Sequence, residues 1–192
     1  MTDFAFYFTT GWHHIISWNA LDHILFIMAL TAVYGLSNWK RVLVLVTAFT
    51  IGHSLTLALS VYDIIRFNEK WVEFLIPCTI ISTASFNLGL KEYKSGSLKI
   101  NYFLALIFGL IHGMGFANII RFMLVKDQAI AIPLISFNIG LEAGQIIIVS
   151  FILLLSYLIV NKIGFQIKWW ILSLSAIAIL FGLFMAQARW PV

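Results

Sequence analysis

Asp22 and His23 stand side by side in the segment Asn19 to Met28 (NALDHILFIM), which is otherwise largely apolar. A carboxylate held near the middle of a bilayer costs about 2.5 to 3.5 kcal/mol on insertion scales, and such groups usually face a bundle interior and mark a functional pathway. His53, His112 and Glu142 recur inside later apolar runs. Imidazole nitrogen with carboxylate oxygen suits nickel, zinc, iron or copper, whereas sulfur donors would favour softer ions. Asp22, His23, His53, His112 and Glu142 are therefore read as one divalent-metal site, with His14 at the outer mouth as a relay ligand or a residue on the way in. A ligating histidine passes its other ring proton to a carboxylate or carbonyl, so one of the two acids can stand behind a ligand. Thr50 and Ser54 near His53, Asn87 on a polar stripe with Thr79 and Thr83, and Asn138 and Gln145 on the face of Glu142 are the supporting or pathway residues. Glu73 is read as a loop residue or a gate to the outer mouth.

The surroundings decide what must position these groups. The chain has 192 residues, 61% hydrophobic and only 10% charged, with a mean hydropathy of +0.98. A soluble domain is nearer half apolar and a quarter charged, so this is an integral membrane protein and the bilayer is its first partner. The length suits a single domain, an all-α polytopic bundle of about six spans over residues 1–192. The net charge of +4 comes from Lys and Arg scattered through loops, with no stripe or arginine-rich arm, which excludes a nucleic-acid partner. Cys78 is the only cysteine, so neither an intramolecular disulfide nor a thiolate cluster is available.

Met1 to His14 lacks the basic start of a secretory signal and is expected to stay on the protein. The first span is expected over Ile15 to Leu36, the second over Val42 to Tyr62 and the third over Phe74 to Leu90, with a bend at Pro77. Lys91 to Lys99 reads as a linker. The fourth span covers Ile100 to Met123, the fifth Pro133 to Val160 and the sixth Trp169 to Ala186, which closes the bundle and is expected to carry no chemistry. Lys and Arg favour the first, third and fifth loops, so the positive-inside rule puts both termini outside the cytoplasm, in the cell (inner) membrane. All the ionisable groups then fall in the outer half. Gly109 and Gly113, like Gly140 and Gly144, have the small-xxx-small spacing that lets helices approach closely, and the two pairs are expected to bring His112 toward Glu142.

HILFIMAL after Asp22, AFTIGHSLTLAL at Ala48 to Leu59, FGLIHGMGFAN at Phe108 to Asn118 and FNIGLEAGQ at Phe137 to Gln145 together resemble the HupE/UreJ family, in its shorter branch without a signal peptide. The likeness extends over nearly the whole chain. It implies a polytopic membrane protein tied to nickel supply for hydrogenase or urease, acting as a nickel permease or accessory, with metalloenzyme maturation proteins as possible partners. Nickel is favoured by this resemblance alone; zinc, iron and copper fit the donor set equally.

Other readings compete. An intramembrane zinc hydrolase would use three histidines with one open position and a carboxylate base, Asp22 or Glu142, with Ser54 as an extra donor. A metal-binding accessory or sensor would need no flux. Each group also has a purely structural reading: a buried ion pair for Asp22 and His23, a helix-bridging hydrogen bond for His53, and a protonated carboxyl in a polar network for Glu142.

Overall fold

A computed structural model describes residues 2–89, 98–123 and 130–191. The linker expected from Lys91 falls almost wholly outside these residues, as do Lys126 and Asp127. Among the described residues the structure is all-helical, without strands. Seven α-helices follow in order: α1 (Asp3–Ile16), α2 (Leu21–Thr31), α3 (Trp39–Val61), α4 (Glu69–Leu88), α5 (Leu98–Met123), α6 (Ala131–Ser156) and α7 (Ile167–Ala188). The chain leaves α6 through a π-helical stretch, Tyr157–Lys162.

The expected first span is where sequence and structure part. Instead of one helix from Ile15 to Leu36, α1 and α2 are separate and bent by 67° across Ser17 and a 3₁₀ turn at Trp18–Ala20. The extended backbone of Ser17 (ψ 156°) ends α1. At 1.5 Å per residue the two helices are roughly 21 and 16 Å long, together about one crossing. Residues Asp3 to His14, expected to precede the first span, are in fact part of the bundle.

Among the described residues four helices are long and apolar enough to cross a membrane, or five if the bent pair forms one span, so the expected six are met only in part. The described apolar part of α5, Asn101–Ala117, is shorter than that test requires. α4 runs unbroken through Pro77.

Glycines set the helix pairing, though not between the partners expected. A Cβ on Gly11 would collide with the Phe137 carbonyl, and one on Gly140 with the Phe8 carbonyl, so α1 and α6 lock reciprocally. In the same way Gly52 faces the Leu106 carbonyl and Gly109 the Phe49 carbonyl, which locks α3 to α5. Residue numbers rise together across both contacts, so each pair runs parallel. Gly109 and Gly113 thus pack on α3, and Gly140 and Gly144 on α1, in place of the expected mutual contact. Small-residue spacing defines a surface of close approach but not which helix occupies it. Gly113 also admits Thr56, whose Oγ1 donates to the Leu110 carbonyl at 2.7 Å. Gly182 on α7 seats against Ile81 and the Pro77 carbonyl of α4.

One end of the bundle gathers the start of α4 and the ends of α5 and α7, and is called the mouth below. Tyr7 of α1 donates from its hydroxyl to the Met123 carbonyl of α5 at 3.1 Å, placing the early part of α1 at this end as well.

Candidate metal site

Four imidazoles meet between the two locked pairs. His14 comes from the last turn of α1, His23 from the first turn of α2, His53 from α3 and His112 from α5. One donor atom from each of His14, His23 and His53 lies within 4.8 Å of the other two. His112 adjoins this trio through His23, with ring centroids 4.9 Å apart. His53 is 0%, His112 1% and His23 5% exposed, and His14 is half-buried.

Protein groups leave several of the ring nitrogens unpaired. Nε2 of His14, His23 and His112, and both ring nitrogens of His53, are buried with no hydrogen-bond partner among the described residues. A buried polar atom without a partner costs about 1 to 3 kcal/mol, and the grouped nitrogens of His14, His23 and His53, with the His112 ring beside His23, are a donor set of the kind a divalent ion takes. The opposite ring edges are held where a ligand's should be. His23 Nδ1 lies 2.9 Å from Asp22 Oδ1, and His112 Nδ1 2.9 Å from the Phe108 carbonyl. With those Nδ1 atoms donating, each Nε2 presents its lone pair, the carboxylate- or carbonyl-backed arrangement usual for metal-bound histidine. The residues therefore fit a divalent ion on the chemistry of the donors.

Asp22 stands behind His23. Its Oδ1 also accepts from the His23 backbone N–H at 2.9 Å, and its Oδ2 accepts from Arg189 Nη1 at 3.1 Å. Arg189 sits just past the end of α7. A signal was present in the sequence: a carboxylate within the membrane requires a cation, and Arg189 is the one charged residue at the close of the last apolar run.

Aromatic rings wall the cluster above and below. On the mouth side Phe116 lies 4.0 Å from His14 and 4.9 Å from Phe137, centroid to centroid. On the far side Phe26, Phe49 and Phe108 pack together, with Phe26 and Phe49 at 5.5 and 5.2 Å from His112. A cavity of about 190 Å³ reaches His14, His23 and His112 past Glu73, Ile119 and Arg189, so access is from the mouth. A much smaller one, about 20 Å³, lies at the opposite end among Thr83, Asn87 and Asn101.

The remaining expected residues fall elsewhere. Glu142 is not in the histidine group: its Oε1 accepts from Thr47 Oγ1 of α3 at 2.7 Å. Gln145 accepts from Thr50 at 2.8 Å, and Ser54 donates back to the Thr50 carbonyl at 2.7 Å. Asn138 donates to the Leu134 carbonyl at 2.8 Å, and its Oδ1 is buried with no hydrogen-bond partner among the described residues. Asn87 ties three helices, donating to the Ala29 carbonyl at 2.7 Å and reaching Ser175 Oγ at 3.4 Å. Glu73 lines the mouth cavity and lies in the second turn of α4, so it is not the loop residue that one reading expected. Thr47 and the aromatic walls had no separate signal in the sequence.

Among comparisons with known proteins, a sequence-family model described as HupE / UreJ protein matches residues 1–191. No curated protein and no solved structure matches the chain.

Proposed function

The chain belongs to the HupE/UreJ family over residues 1–191, and from that premise we propose that it carries a divalent transition-metal ion, nickel first, across the cell (inner) membrane. The observation that carries the proposal is the convergence of buried, unpartnered imidazole nitrogens, backed by Asp22 and the Phe108 carbonyl. The ion is cargo. It enters by the mouth cavity, exchanges water for His14, His23, His53 and His112, and leaves past Phe26, Phe49 and Phe108 toward the small cavity at Asn87 and Asn101 once those rings shift.

In this reading the bent α1–α2 pair is one span and α5 another, giving six. Both termini and the mouth face outside, as the loop charges favour, and the ion is handed on toward the assembly of nickel enzymes. Hydrolysis with Asp22 or Glu142 as the base is less well supported, because that base must be free beside the metal. Asp22 has both oxygens engaged, and Glu142 is bonded to Thr47. A permease-like accessory without flux would need no route past the aromatic rings.

Uptake of Ni²⁺ into proteoliposomes tests the proposal. Wild-type protein is expected to load the vesicles, with His53→Ala and Asp22→Ala falling to the level of protein-free vesicles. Uptake that survives both substitutions would refute it.

A further inference from the structure

Asp22 is shared between two cation positions. Through Oδ1 it backs His23, whose Nε2 faces the cluster; through Oδ2 it accepts from Arg189. A divalent ion on His23 would draw on the same negative charge that now balances the guanidinium. Like charges at this range repel strongly in a low-dielectric interior, so ion and guanidinium cannot both keep the full benefit of Asp22.

Arg189 has somewhere to go. It lies beyond the last turn of α7, its side chain is 28% exposed, and it lines the mouth cavity together with Glu73. Glu73 has no hydrogen-bond or ion-pair partner among the described residues. The adjacent residues are already in contact: Trp190 packs edge-on against Phe74, with centroids 5.0 Å apart, which fixes the chain end of α7 beside the first turns of α4. Pro77, lacking an N–H, also leaves the Glu73 carbonyl without its helical donor.

We propose that Arg189 is a built-in placeholder for the cargo: without an ion it neutralises Asp22, and ion binding displaces it onto Glu73 across the mouth. This rests on the reading of the cluster as a metal-ion site. The displaced guanidinium then repels a second cation from the entrance, and its return to Asp22 favours release of the first. A residue that merely held Asp22 in position would act in the opposite direction on affinity, which makes the two roles separable.

Equilibrium binding of Ni²⁺ to the purified full chain, with Arg189→Gln, Glu73→Gln and the double variant, decides between them. As a placeholder, Arg189 competes with the ion, so Arg189→Gln is expected to tighten binding at least tenfold. Glu73→Gln is expected to weaken it about threefold or more, and the double variant to match Arg189→Gln, since Glu73 then has no guanidinium to receive. Weaker or unchanged binding in Arg189→Gln overturns the proposal, and if that variant fails to fold, unchanged binding in Glu73→Gln does so alone. Absence of Ni²⁺ binding in the wild type would instead bring down the metal-site reading beneath it.

Discussion

The α1/α6 and α3/α5 pairs are built by one device and loaded differently. In the first, Phe8-Thr-Thr-Gly11 meets Phe137-Asn-Ile-Gly140; in the second, Phe49-Thr-Ile-Gly52 meets Leu106-Ile-Phe-Gly109. Each glycine admits the carbonyl three residues before its partner's glycine, so both pairs lie at backbone contact. The α3/α5 pair is made of helices of 23 and 26 residues, and each gives the cluster one histidine. The α1/α6 pair gives only His14, yet α1 stops at Ile16, and the bend beyond it returns the chain as α2 with Asp22 and His23. Glycine contact sets the distance between walls, whereas the interruption of one helix supplies the side chains a continuous helix would have carried past the site.

The largest expected effect breaks the shared device. Gly109→Val or Gly140→Val forces a side chain against a backbone carbonyl, overpacking that costs typically 1 to 3 kcal/mol and here about the upper end or more. Thermal unfolding in detergent should show both variants well below wild type, and equal tolerance of valine at the two sites would deny the lock. Next comes the cargo. His53→Ala, on the unbroken pair, is expected to lower Ni²⁺ affinity by more than about 100-fold, exceeding the loss from an outer partner. Asp22→Asn, acting behind His23 on the bent segment, is expected to cost about 10- to 100-fold, measured by the same titration. The smallest effect belongs to Glu142→Gln, under about threefold, because α6 directs that carboxylate at Thr47; a loss as large as that of Asp22→Asn would return Glu142 to the metal.

Sequence reasoning reached the membrane class, the ionisable set and the close-packing glycines because each leaves a local mark: an apolar run, a charge inside it, a four-residue spacing. It missed the joint between α1 and α2, since Ile15-Ile16-Ser17-Trp18-Asn19 contains neither glycine nor proline and reads as helix continuing. That omission left His14 as a relay ligand or an entry residue at the outer mouth, and the structure sets its ring 4.8 Å from that of His23. Glu142, expected at the metal, instead lies outside the histidine group and bonds Thr47. Its position inside an apolar run marks it as costly to bury, but a hydroxyl on a neighbouring helix can meet that cost, and Thr47 gives no sign of doing so in the sequence. Arg189 could have been paired with Asp22 by charge balance alone, although nothing local ties α7 to α2 across 167 positions.

X-ray absorption at the nickel edge of the Ni²⁺-loaded protein examines the central claim most directly, because it reads the atoms on the metal. Convergent imidazoles predict a nitrogen-dominated shell with the multiple-scattering pattern of histidine rings, diminished in His53→Ala. A shell of oxygen alone, or a spectrum unchanged by that substitution, would contradict it.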